Sequence, residues 1–273
     1  MFSQYSKAQI ARTLDFSRSS FYHQSTLDKK DELIKNTILE IYENDDTLGP
    51  KKLASLLGIG HNRIARIMNK YSLHPRKATN GYSYPGKADN IYPNLLLGNE
   101  VVDYSDLLVS DMFEFRLADG TKVYGCFILK HSTRQTISMV FDYTKDTSLI
   151  IKAINQAEDY IDPRSIFHFD QAKQHGAKET TQALENLRLL ISMSRAGTPT
   201  DNPFAERFVG IFKLAVVKRQ QYFTFGHFLD KALVWVNFYN QTRPHEALKQ
   251  ISPNDYAKQN GRKVVYLSSV FGV

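Results

Sequence analysis

Ser165-Ile166-Phe167-His168-Phe169-Asp170, an apolar run closed by an acid, decides the fold. Its β-branched and aromatic residues predict a short strand. The breaker Gly176 and then a helix follow, so Asp170 stands at a strand's C-terminal edge, where α/β sheets gather ligands and reacting groups. Leu189-Leu190-Ile191-Ser192-Met193 predicts the next strand and Arg195-Ala196-Gly197-Thr198-Pro199-Thr200 the loop that leaves it. Asp201-Asn202-Pro203 then predicts a helix start, a capping pair with proline at the first helical position. The 3.6-residue period places Phe204, Phe208, Ile211, Phe212 and Ala215 on one apolar face of that helix. Glu206 falls off this face and stacks with Gly210 and Lys213.

Toward the N-terminus, Leu107 to Phe115 has strand character, Asp119-Gly120 is a hairpin signal, and Lys122 to Leu129 and Thr136 to Phe141 predict two more strands. A helix over Asp146 to Ile161 carries Leu149, Ile150, Ala153, Ile154 and Ala157 on its inner face. Three antiparallel strands followed by alternating helices and parallel strands predict an α/β, ribonuclease-H-like core: a mixed five-stranded sheet with helices. A last helix, Gly226 to Gln241, is apolar enough to dock on it. Ahead of the core lies a small all-α region. Asp31 to Asn44, Pro50 to Leu57 and His61 to Tyr71 read as helices, with Gly58-Ile59-Gly60 as a turn. Ile64, Ile67, Met68 and Tyr71 form the buried face of the last, so Asn62, Arg63 and Arg66 point outward, as side chains that reach phosphates and purine edges do. The expected division is 1–28, a first helical segment fitting a helix-turn-helix; 29–74, a helix-turn-helix DNA-binding domain; 75–103, a linker; 104–258, the core; and 259–273, a tail.

The 273 residues suffice for one good core and one or two small units, and 42% apolar content excludes a disordered chain. A formal net charge of +7 favours a polyanionic partner. The single cysteine, Cys126, lies in an apolar strand, which excludes a disulfide framework and a zinc finger. The polar N-terminus and the lack of a membrane-length apolar run predict no membrane association and a cytoplasmic location.

Thirty-five residues lie between Asp170 and Glu206, and Lys213 stands seven beyond the glutamate. That spacing resembles the D,D(35)E integrases and transposases. Ser192-Met193-Ser194-Arg195, Asp201-Asn202 with Ala205-Glu206, Phe212-Lys213, Tyr239-Asn240, Arg243-Pro244-His245, Ala247-Leu248 and Ser252-Pro253 with Tyr256 resemble, in order, the second-frame protein of the insertion-sequence-three family of bacterial transposases. The likeness runs from about residue 10 to about residue 258.

Two carboxylates hold divalent metals poorly without a third, so an acid is expected on the strand beside Asp170. Asp111, in Val109-Ser110-Asp111-Met112-Phe113-Glu114-Phe115, is that candidate, in a partial match to the family's Trp-Val-Thr-Asp-Val-Thr-Glu-Phe. Leu108 and Phe113 replace its tryptophan and second threonine. The resemblance implies that Asp111, Asp170 and Glu206 are catalytic and hold two Mg²⁺ ions, with Mn²⁺ able to substitute. Lys213, Lys173 and Asn202 join Asn62, Arg63 and Arg66 as expected DNA contacts, and His168, Gln174, Arg243 and His245 as supporting residues. Ala172, Lys173 and His175 depart from the family's glycine, serine or tryptophan, and tyrosine.

The activity implied is metal-dependent cleavage and strand transfer at insertion-sequence ends. The partners implied are double-stranded DNA, both terminal repeats and target, further copies of the chain on that DNA, and an upstream-frame protein or a fusion with it. A bacterial, nucleoid-associated location goes with these. The competing reading is a DNA-binding regulator of transposition with an inert integrase-like core.

Overall fold

The computed structural model describes residues 6–17, 19, 26–77, 91–97, 107–172, 174–195, 198 and 201–270. The elements expected above map onto it closely in the core. Strands β1 (Leu107–Arg116), β2 (Lys122–Lys130), β3 (Thr136–Asp142), β4 (Ile166–Phe169) and β5 (Leu190–Met193) form one sheet in the order β3-β2-β1-β4-β5. The first three pair antiparallel; β4 runs parallel to β1, and β5 parallel to β4. This is the ribonuclease-H-like arrangement.

Side-chain alternation sorts the two faces. Ser138 of β3 bonds Gln156 of α5 (Thr147–Ala157), which packs beside α6 (Lys178–Asn186). Phe141, three positions on, faces the other way and meets Phe212 and Phe228. Those rings belong to α7 (Pro203–Phe212) and α8 (Phe225–Gln241). Phe113 of β1 joins this second layer against Phe212, so Asp111, two residues earlier, lies on the α7 face. Gly125, paired with Phe113, makes room for the rings: a Cβ there would lie 2.6 Å from Phe113 Cζ. Cys126 is buried in β2, and burial pushes its thiol up to about 12.

The helical region comprises α1 (Lys7–Thr13), α2 (Thr26–Asn44), α3 (Pro50–Leu57) and α4 (His61–Lys70). Gly58 ends α3 at φ 63°, the left-handed conformation glycine adopts without strain, and turns the chain into α4. Ile38, Leu48, Leu53, Ile64, Ile67 and Met68 make a second small core, and Phe238 of α8 packs on it. A buried ion pair between Asp45 and Arg243 joins this unit to the sheet domain. Arg219 to the Glu43 carbonyl and Ser55 to the Gln250 carbonyl add to the seam.

Several expectations change. Helix α2 begins at Thr26, earlier than Asp31. Residues 18 and 20–25 of the first helical segment fall outside the described residues, as does most of the 75–103 linker. Its described part at 91–97 packs on the core: Leu95 N donates to Ser192 Oγ, and Tyr92 and Leu96 touch the apolar cluster. The segment beyond residue 258, expected as a tail, is also built in. Val265, Leu267 and Val270 are buried, and Asn237 bonds the Leu267 backbone in both directions. Their alternation with exposed Val264 and Tyr266 supplies the apolar face that pays for this docking.

Candidate active site

Asp111 in mid-β1 and Asp170 just past β4 lie on neighbouring parallel strands whose register aligns Val109 with His168. Continued by two residues, that register sets the two acids side by side on adjacent strands, where the Asp170 charge acts on Asp111. Burial first, then the Asp170 carboxylate, pushes Asp111 up to about 7. Burial also acts to raise Asp170, but the hydrogen bond from His175 and the Ala172 N–H outweigh it and hold Asp170 below the ordinary carboxylate range. His175 Nδ1 lies 2.6 Å from Asp170 Oδ1, and Ala172 N reaches the same oxygen at 3.2 Å. The Asp170 side chain keeps 28% of its surface open to solvent, so solvent reaches this acid.

His175 is buried and stacked on Phe169, with ring centroids 4.9 Å apart. The sequence marked it only as a departure from the family pattern. A histidine five residues after a strand-ending acid, across a tight turn, was the available signal. Lys145, between β3 and α5, was missed for want of any motif around it; its charge acts on Asp111 and Asp170. Gln174 fixes that loop by donating to the Lys145 carbonyl at 3.0 Å.

Helix α7 is set by Asn202. Its side chain makes no capping bond to α7; Nδ2 instead donates to the Ser110 carbonyl at 3.2 Å, pinning the helix start beside Asp111. Asp201 turns away to Arg195 and Asn94. Glu206 N bonds the Asn202 carbonyl, so Glu206 stands one turn above the pin, on the exposed side of α7. Partial burial raises its carboxyl above the ordinary value.

The structure thus brings two of the three expected acids together. Among the described residues no group of three His, Cys, Asp or Glu side chains is placed to hold a metal ion. Glu206 in solvent avoids the repulsion that the neighbouring pair already carries. Lys213 caps α7 in helical conformation and opens a π-helical turn, Lys213–Val217. Its Nζ lies 5.6 Å from the Phe113 ring centroid. Burial lowers its pKa, and the charges of Asp111 and Glu114 work against that lowering.

The remaining expected residues divide by environment. His168 bridges Ser192 and Ser194 at 2.8 and 3.0 Å, and burial lowers its pKa to about 4. It is a neutral brace between β4 and β5. Arg243 pairs with Asp45 in the seam with the helical unit and His245 packs on Tyr239; burial, first among the causes, lowers them to about 10 and about 2. Arg66 donates twice to buried Asp31, at 2.7 and 2.8 Å, and Arg63 and Lys70 also approach that acid. Asn62 is exposed. Lys173 lies outside the described residues.

Two models described as integrase core domain match residues 105–199 and 187–253. With the ribonuclease-H-like sheet, they define the class as the DDE polynucleotidyl transferases. A putative transposase, InsK, for insertion sequence element IS150 of Escherichia coli is 26% identical over 92% of this chain and 93% of its own length. The transposase for IS629 of Shigella sonnei is 24% identical over 93% and 92%. The catalytic core of BIV integrase is 13% identical over 57% of this chain and 97% of its own, with a TM-score of 0.44. These matches support an insertion-sequence transposase with a DDE integrase core, and the insertion-sequence-three family fits them. No helix among the described residues is long and apolar enough to cross a membrane.

Proposed function

We infer that this transposase cuts the ends of its element and joins the resulting 3′-hydroxyl to a target phosphodiester, with Asp111, Asp170 and Glu206 as its acid triad. The neighbouring pair Asp111 and Asp170 carries the reading. Two partly buried carboxylates side by side on adjacent strands are what a hard divalent cation compensates, and the donor set fits magnesium or manganese. When bound, a pair of such ions supplies activation of the attacking oxygen and charge compensation at phosphorus.

The chain's own residues prepare that site. His175 and the Ala172 N–H engage one oxygen of Asp170 and fix its plane. Asp111 accepts from the Met112 N–H at 2.7 Å. Asn202 holds the start of α7 against β1, so a side-chain swing with a small shift of α7 serves to carry Glu206 toward the pair. Lys213 and Lys145 surround the acids with positive charge and suit a phosphodiester held for in-line attack. Residues 29–74 act as the DNA-binding domain, with Asn62 exposed for contact. Terminal repeats, target DNA, further copies of the chain and an upstream-frame product or fusion are the partners, in the bacterial cytoplasm at the nucleoid.

The deciding experiment titrates Mg²⁺ and Mn²⁺ into a strand-transfer assay with element-end DNA. Joined product that depends on the metal and on Asp111 is expected. End binding without joining at any metal concentration would instead identify an inert-core regulator.

A further inference from the structure

Where the helical unit meets the core, the fold gathers cations that nothing in the acid site uses. Lys52 of α3 and Arg134 of the β2–β3 turn are half-buried, and Arg207 of α7 is exposed. Arg134 lies over the Phe204 ring at 4.6 Å, and His245 packs edge-on against Tyr239 at 4.8 Å. Burial lowers the pKa of Lys52, and the charge of Arg207 lowers it further; Arg134 responds in the same way. Phe204, under Arg134, stands one helical turn before Arg207 on α7. Helix α3 reaches the same seam through Ser55, whose hydroxyl donates to the Gln250 carbonyl, and Lys51, paired with Glu246 beside His245. After burial, the charges of Arg243, Lys52, Arg134 and Arg207 all act on His245.

The counter-charges are committed elsewhere. Asp45 is taken by Arg243, and Glu246, the carboxylate that faces Lys52 and Arg207, is bonded to Lys51. Buried Arg134 Nη1 finds no acceptor among the described residues. Arg134 also adopts φ 60°, a left-handed conformation that disfavours a side chain. Like charges brought together, partly desolvated and strained, destabilise the fold unless a ligand compensates them.

We infer that Lys52, Arg134 and Arg207 form a phosphate-binding seam that carries the DNA backbone from the helical unit to helix α7, one residue from Glu206. The inference rests on the DNA-processing function proposed above. Its ligand is the phosphodiester itself, read without regard to base sequence.

The test measures binding of the full chain to a random-sequence DNA duplex by fluorescence anisotropy across a salt series. Each phosphate contact contributes about 0.9 to the slope of log affinity against log salt, so Lys52→Ala with Arg207→Ala is expected to lower that slope by about 2. Affinity should fall about tenfold or more at low salt. The thermal midpoint should hold or rise, because repulsion is relieved. Arg207→Gln alone, on the helix surface, should remove about 1 from the slope with the fold intact.

Lys178→Ala with Lys231→Ala removes the same charge from exposed sites elsewhere. Should that pair cost as much slope as the seam pair, or should the seam variants bind like wild type, the seam is wrong while the transposase reading stands. Failure of the wild-type chain to bind duplex DNA at all would remove both.

Discussion

Asp31 in the helical unit and Asp111 in the core are both enclosed by protein, yet their surroundings are opposite. Arg66 holds Asp31 with two hydrogen bonds, Lys70 adds a third, and the Arg66 bond chiefly keeps its pKa below the ordinary value against the pull of burial. The cover is thin: Asp31 exposes no side-chain surface, but Arg63, Arg66 and Lys70, which roof it, are 35–45% exposed. Asp111 stands beside another acid, and its pKa is pushed up to about 7 by burial and by that neighbour. A carboxylate that serves the fold is compensated by the fold's own cations. One held beside a like charge, with no cation bonded to it, awaits a charge from outside.

The sharpest way to break this contrast is to neutralise each acid in turn. Asp111→Asn should lower strand transfer by about 10³-fold or more, since the compensation of charge at phosphorus amounts to several kcal/mol. End binding should change little. The thermal midpoint of the metal-free protein should hold or rise, because a like charge beside Asp170 is removed. Retained joining, or a large loss of stability, would make Asp111 a structural acid like Asp31.

Asp45 tests a third environment, a pair buried on both sides. Its partner Arg243 is as deeply buried, so Asp45→Ala strands a guanidinium and should cost about 3–5 kcal/mol in chemical denaturation. A cost near zero would mean that the seam does not hold the two units together.

These environments also explain what the sequence made legible. The strands themselves and the apolar face of α7 follow from local pattern, because alternation and helical period are properties of adjacent residues, whereas the neighbourhood of Asp111 and Asp170 was expected only from the ribonuclease-H-like topology. Arg63 and Arg66 were correctly placed on the outer face of α4, but their partner Asp31 is thirty-five positions from Arg66 along the chain, and no local pattern announces it. The same holds for Arg243, whose turn-like setting beside Pro244 concealed an ion pair to a residue 198 positions away. Asn202 was read as a cap from its position before Pro203; the Ser110 carbonyl, reached only once β1 packs on α7, won its side chain instead. Glu206 was assigned to the acid cluster from spacing, and spacing fixes its helix position but not its side-chain direction.

His175 sharpens the comparison more gently, because it tunes the uncompensated acid without neutralising it. His175→Phe retains the stack on Phe169 and removes the donor to Asp170. Removing such a partner of a ligating group typically weakens metal binding by about 10–100-fold. Calorimetric titration with Mn²⁺ should show that loss with a nearly unchanged thermal midpoint, and His175→Asn, whose amide can replace the Nδ1 donor, should recover part of it. Equal losses for both variants would mark His175 as packing alone.

The smallest effect belongs to Asp31, whose partners are exposed enough for salt to screen them. Asp31→Asn should lower the thermal midpoint at neutral pH and leave strand-transfer chemistry intact. The sign of its pH dependence is set by the direction of the shift: a carboxyl whose folded pKa lies below the ordinary 3.8 contributes its stability above that value and loses it as pH falls through the folded one. The gap between wild type and variant should therefore be widest at neutral pH and low salt, narrow with added salt, and close in acid. A gap that stays open in acid would show that Asp31 acts through packing, and its likeness to a compensated structural charge would be lost.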